Sequence, residues 1–202
     1  MSTKKLFAFA IALLLGVCAY SQDVTFGVKG GASANWIPGT FIDAGDNPVT
    51  NVGYYGGVAL GYDFSGTIFA QAEILYMRKG ISTTNPMMGK YSRNISYIEV
   101  PVLAGISLGD DNLRLLLGPE FGLCTGSKIK ADMPNPSSLG KPRPFNLSVV
   151  LQATYFVTDN LGVDLKYDFG VTPVFEGADA FGTRDRGHNR GAMLGLSYFF
   201  GD

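Results

Sequence analysis

Apolar side chains alternate with small, polar or charged ones along several segments of this chain, with a period of two residues. The segment LGVDLKYDFG, residues 161–170, is a clear example. One set of alternate positions is wholly apolar: Leu161, Val163, Leu165, Tyr167 and Phe169. The other set holds glycines and charges: Gly162, Asp164, Lys166, Asp168 and Gly170. A period of two is the period of a β-strand with two unlike faces.

The same alternation recurs in eight segments, each about as long as the tilted strand that crosses a membrane. These segments are 25–36, 54–64, 68–79, 97–106, 112–123, 146–157, 161–170 and 190–200. Short turns at FSGT, LGDDN and TDN alternate with long connections rich in glycine, proline and asparagine. Outer-membrane barrels have an even number of strands joined in this way, with the short turns on the periplasmic side. We therefore predict an all-β fold, an eight-stranded antiparallel up-and-down transmembrane β-barrel.

Aromatic residues on the apolar faces fall into two groups at opposite strand ends. The group beside the short turns is Phe26, Tyr62, Phe64, Tyr155, Tyr198 and Phe200. The group beside the long connections is Trp36, Tyr54, Tyr76, Phe121, Tyr167 and Phe169. Two aromatic girdles around an aliphatic band are typical of a protein in contact with both bilayer interfaces. A soluble lipocalin-like barrel, with its apolar face inside, is the rival fold, and the girdles speak against it.

The leader and the composition agree with export to the outer membrane. Lys4 and Lys5, the apolar run 6–17 and a small-residue site before Gln22 predict a cleaved signal peptide over 1–21. The barrel domain is then 22–202. Charged residues make up only 16% of the chain, with a net charge of −1, where a soluble domain carries about 25%. We expect an integral outer-membrane protein of a Gram-negative cell envelope.

Charged residues occupy the second, non-lipid face of the strands. An eight-stranded barrel is just wide enough for side chains to fill, and buried charges need partners. We predict a structural ion-pair network in the lumen. Its members are Lys29, Asp63, Glu73, Glu99, Arg114, Glu120, Asp164, Lys166 and Asp168. The functional alternative is a proton or ion path, because ionisable groups at membrane depth are often functional.

Four segments carry a resemblance to a known family. QAEILYMRKG at 71–80 and SYIEVPVLAGI at 96–106 resemble signatures of the Bacteroidota outer-membrane β-barrel family, often labelled PorT-like or "porin family". LLLGPEFG at 115–122 and LGVDLKYDFG at 161–170 resemble its fifth and seventh strands. The resemblance implies an outer-membrane barrel and assigns no activity.

Little in the sequence indicates chemistry beyond the barrel itself. We expect no enzyme activity, cofactor, metal or nucleic acid, because the chain is not basic and has one histidine, His188. Asp185 and His188 are the candidates for a membrane hydrolase. The sequence favours a structural, accessory or surface-binding barrel in contact with outer-membrane lipid, with envelope proteins or extracellular ligands bound by its long loops. The alternative is a narrow pore or a small-ligand transporter.

Overall fold

The computed structural model describes residues 24–36, 47–49, 51–85, 89–109, 112–131, 141–176 and 188–200. Eight long strands account for most of them. They are β1 (Val24–Trp36), β2 (Asn51–Asp63), β3 (Ile68–Asn85), β4 (Gly89–Leu108), β5 (Leu113–Ala131), β6 (Phe145–Phe156), β7 (Leu161–Pro173) and β8 (His188–Phe200). Three short strands are Asn47–Val49, Lys141–Pro142 and Phe175–Glu176. No helix in these ranges is long and apolar enough to cross a membrane.

The eight long strands form one closed antiparallel sheet, which confirms the predicted barrel. Consecutive strands pair with each other, and β8 closes the sheet by pairing with β1. A path that steps from each residue to its paired residue on the next strand begins at Asp63 on β2. After one circuit of the barrel it returns to β2 at Gly53, ten residues away. An offset of ten residues over eight strands means that the strands are strongly tilted to the barrel axis.

Side chains alternate between lumen and lipid as the sequence pattern predicts. In β8, buried and more exposed residues alternate from Asn189 to Phe200. Met193 is 1% exposed, whereas its neighbour Leu194 is 61% exposed. Such exposure of apolar side chains would be unfavourable in water, and it is what a surface in contact with lipid requires.

The aromatic residues meet in pairs at both ends of the barrel. Phe26 stacks on Phe200 at the end with the short turns, with ring centroids 5.9 Å apart. Trp36 meets Tyr167 edge-on at the opposite end, also at 5.9 Å. We call the second ring of aromatics, beside the long connections, the outer girdle. Short turns mark the periplasmic side, so this girdle lies at the outer face of the membrane.

Strands β3, β4 and β5 are longer than the sequence pattern predicts. They have 18, 20 and 19 residues, and the β3–β4 ladder continues to the pair Asn85 and Gly89. Parts of the long connections predicted after segments 68–79 and 112–123 are therefore strand. The alternation was lost there because the strands have left the bilayer, where neither face needs to be apolar. We call residues 79–85, 89–97 and 124–131 the outer wall. The predicted signal peptide lies outside the described residues.

Candidate functional site: the charged lumen

One group of charges crosses the middle of the lumen, and we call it the inner ionic group: Lys29, Glu73, Asp164 and Lys166. The Nζ atom of Lys29 lies 2.8 Å from Glu73 Oε1 and 3.1 Å from Asp164 Oδ2. Lys166 pairs with the other carboxylate oxygen of Glu73. Two ammonium groups therefore face two carboxylates, and the formal charge of the group is zero. All four side chains are almost completely buried.

Neutral polar side chains add hydrogen bonds to this group. Gln71 donates to Glu73 Oε1 at 2.6 Å, and the Thr154 hydroxyl donates to Asp164 Oδ1 at 2.6 Å. A buried carboxylate is tolerated when charge and hydrogen bonds replace its lost hydration. Glu73 and Asp164 each receive both, which explains how ions are accommodated at membrane depth.

A second group of charges lies nearer the outer girdle, and we call it the outer ionic group: Lys79, Glu99, Glu120 and Asp168. Lys79 Nζ lies 2.7 Å from Glu99 Oε1, 2.7 Å from Asp168 Oδ2 and 3.9 Å from Glu120 Oε1. Asn189 also donates to Asp168, at 3.1 Å. Here one ammonium group faces three carboxylates, so the formal charge of the group is −2.

Lys79 is the residue that the sequence analysis missed. It holds the outer ionic group together, because it contacts carboxylates from β4, β5 and β7 at once. The signal was available, since Lys79 continues the lumen face of Glu73 and Met77 at the same two-residue spacing. The predicted segment 68–79 contained Lys79, but the predicted network omitted it.

Two predicted members of the network lie outside both ionic groups. Asp63 is at the end of β2, and its Oδ1 accepts hydrogen bonds from the backbone amides of Ser65 and Gly66. The backbone amides of the turn bind this carboxylate, so Asp63 does not belong to the lumen network, contrary to the prediction. Arg114 faces the lumen, where its Cζ lies 4.9 Å and 4.7 Å from the ring centroids of Phe69 and Phe156. Its guanidinium takes part in cation–π contacts.

Apolar clusters fill the lumen beside the ionic groups. Ala59, Phe156 and Phe199 pack near the short turns. Larger clusters follow along the barrel: Phe69, Leu103, Leu116 and Val150; then Tyr55, Leu75, Met77 and Met193. Towards the outer wall, Val174 packs on Ile95 and Tyr97. The described part of the lumen is thus packed with side chains along its length.

The described residues form no metal centre. No group of three or more His, Cys, Asp or Glu residues among them could hold a metal ion. His188 is exposed, with Nδ1 at hydrogen-bond distance, 3.1 Å, from the carbonyl oxygen of Gly170. Asp185, its proposed partner, lies outside the described residues.

A closed antiparallel barrel with an apolar outer surface, two aromatic girdles and a packed lumen defines a transmembrane β-barrel protein. The family model "Outer membrane protein beta-barrel domain" matches residues 20–176. The chain belongs to this family and is an integral protein of the outer membrane.

Solved structures agree on the fold. The outer membrane protein OprG from Pseudomonas aeruginosa is similar with a TM-score of 0.51 and 11% identity, over 90% of this chain and 98% of that one. Neisserial surface protein A is similar with a TM-score of 0.51 and 15% identity, over 87% and 97%. Identities this low support the fold alone. No curated protein sequence matches significantly.

Proposed function

We propose that this protein is a non-enzymatic outer-membrane barrel with a filled lumen, acting as a structural, accessory or surface-binding component on the outer face of the membrane. The observation that carries the proposal is the packing of the lumen. Ion pairs join β1, β3 and β7 in the inner ionic group, and β3, β4, β5 and β7 in the outer one. These ion pairs run across the lumen between strands of the wall, which supports a filled interior and not an open channel.

The outer wall is the surface through which such a protein would bind a partner. It extends beyond the outer girdle as three paired strands, and residues 125–128 are exposed on it. An exposed sheet outside the membrane offers both side chains and strand edges to another molecule. Envelope proteins and extracellular ligands are the proposed classes of partner.

The motifs at 71–80 and 96–106 support a finer placement within the family. We propose membership of its PorT-like, Bacteroidota branch, in a Gram-negative cell envelope. We further propose that it uses no cofactor and binds no nucleic acid.

The alternative function is a narrow pore or small-ligand transporter, in which the acidic outer ionic group would select cations. Planar-bilayer recording separates the two functions. We expect no discrete conductance steps from the purified full chain, at protein amounts where a general porin in the same bilayer gives many. Reproducible cation-selective steps that change when Glu120 is replaced by Gln would favour the pore.

The surface-binding role is tested by photo-crosslinking in the native host. A photoreactive amino acid replaces Lys128 on the outer wall or, as the matched control, Asp159 in the exposed turn on the opposite side. We expect a discrete adduct from position 128 and not from position 159. Replacing residues 83–91 by Asn-Gly shortens the β3–β4 hairpin and keeps the pair Ser82 and Ser92, and the adduct should then disappear. No adduct at position 128 would contradict binding through the wall.

A further inference from the structure

Two arginines stand out on the lipid-facing surface of the barrel. Outward positions of the described strands between the girdles carry Val, Leu, Ile, Ala, Gly, Pro and aromatic residues. Arg78 on β3 and Arg190 on β8 are the charged side chains on this face up to the level of the outer girdle. Arg190 is exposed and Arg78 is partly exposed. A full charge beside a bilayer is costly unless it reaches the polar interface.

The barrel geometry places the two arginines at the same height. Arg78 pairs with Tyr54, Tyr54 with Ala32, and Ala32 with Leu194. This path crosses three strand boundaries. Because the offset of ten residues accumulates over eight strands, the path moves about four residues towards the periplasmic end of the barrel. Arg190 lies four residues from Leu194 towards the outer end of β8. The two displacements are opposite and about equal, so Arg190 lies at the same height as Arg78.

That height is the level of the outer girdle. The guanidinium of Arg78 lies over the ring of Tyr54, 6.0 Å from its centroid. Arg190 is the cross-strand partner of both Trp36 and Phe169. Tyrosine and tryptophan rings of a girdle lie at the headgroup level of the bilayer. Both guanidinium groups are thus held where lipid headgroups are.

The described residues supply no counter-anion for these two arginines. Outward positions of the barrel strands carry no Asp or Glu within the described residues, and the ion pairs found there involve neither Arg78 nor Arg190. The guanidinium fork matches a phosphate group with two parallel hydrogen bonds. Phosphate is also the anion that membrane headgroups present at this depth.

We propose that Arg78 and Arg190 bind phosphate groups of phosphorylated lipids in the outer leaflet. The two residues are three strands apart, which corresponds to roughly 14 Å along the hydrogen-bond direction, so each binds its own phosphate. The aromatic neighbours orient each guanidinium and supply an apolar contact for the lipid. The barrel is thereby fixed at a defined depth through two separate headgroup contacts.

The test is native mass spectrometry of the full chain in a neutral detergent, titrated with diphosphoryl lipid A. We expect the wild type to bind this lipid and to bind its dephosphorylated form much more weakly. The Arg78→Gln/Arg190→Gln double variant should bind diphosphoryl lipid A about tenfold more weakly. The matched control, Lys128→Gln, removes an exposed cation from the outer wall above the girdle and should leave binding unchanged. Heat-dependent gel mobility verifies that each variant is folded.

Three results would overturn the proposal. The double variant could bind diphosphoryl lipid A as tightly as the wild type does. The dephosphorylated lipid could bind as well as the phosphorylated one, which would mean that acyl chains alone are recognised. Inorganic phosphate at the same concentration as the lipid could displace it, which would make the sites receptors for a soluble anion.

Discussion

Lys29 and Glu73 lie on strands that are not neighbours, yet their side chains meet at 2.8 Å across the lumen. Strand β2 separates them, and the β2 residue paired with Lys29 is Gly57. Because Gly57 has no side chain, Lys29 extends over β2 and reaches β3. This ion pair connects two strands that are separated by a third. Backbone hydrogen bonds connect only adjacent strands.

Removal of Lys29 should destabilise the barrel. In Lys29→Met, Asp164 loses its ammonium partner and Glu73 keeps only that of Lys166. Breaking a buried ion pair by deleting one partner costs about 3–5 kcal/mol, and we expect a loss of that size in urea unfolding from lipid vesicles. The double variant Lys29→Met/Asp164→Asn removes the orphaned charge and should recover a large part of the loss. A Lys29→Met barrel as stable as the wild type would show that the ion pair contributes nothing.

The two ionic groups should respond in opposite ways to the same change. Glu120→Gln lowers the negative excess of the outer ionic group from −2 to −1, and it affects the carboxylate farthest from Lys79, at 3.9 Å. We therefore expect unchanged or increased stability. Glu73→Gln, the matched control, unbalances the inner ionic group and should cost about 3 kcal/mol. Both are measured by urea unfolding, and a larger loss for Glu120→Gln than for Glu73→Gln would refute this charge balance.

The sequence predicted which side chains face the lumen but not which of them meet. The period of two assigns Glu73 and Asp164 to the inside, whatever the register. Their common partner depends on the offset of ten residues around the barrel, and nothing in the pattern of a single strand encodes it. Asp63 shows the second limit, because at a strand end the amides of a turn compete for a carboxylate of the correct parity. Lys79 shows a third limit. Beyond the bilayer both faces of a strand can be polar, so the alternation no longer indicates where the strand ends.

A methyl group should be tolerated at Gly56 but not at Gly57. A Cβ atom at Gly57 would lie 2.9 Å from the Cα of Leu75, closer than real contacts allow, and the obstacle is backbone. At Gly56, which faces the lipid, the nearest atom is the Lys29 carbonyl oxygen at an ordinary 3.7 Å. Gly57→Ala should therefore cost about 1–3 kcal/mol in the same unfolding assay. Equal stability of the two alanine variants would mean that β2 and β3 separate at little cost.

The filled lumen predicts a pattern of thiol accessibility. In a Cys124→Ser background, Leu194→Cys places a thiol in the lipid and Met193→Cys places one in the lumen. A membrane-soluble maleimide should label Leu194→Cys in vesicles, whereas a charged thiosulfonate should not. Met193→Cys should resist both reagents until the protein is denatured, because packed side chains exclude water and reagent alike. Ser65→Cys, in an exposed turn, serves as the reactive control. Rapid reaction of Met193→Cys with the charged reagent would reveal a water-filled passage and would favour the pore over the closed barrel.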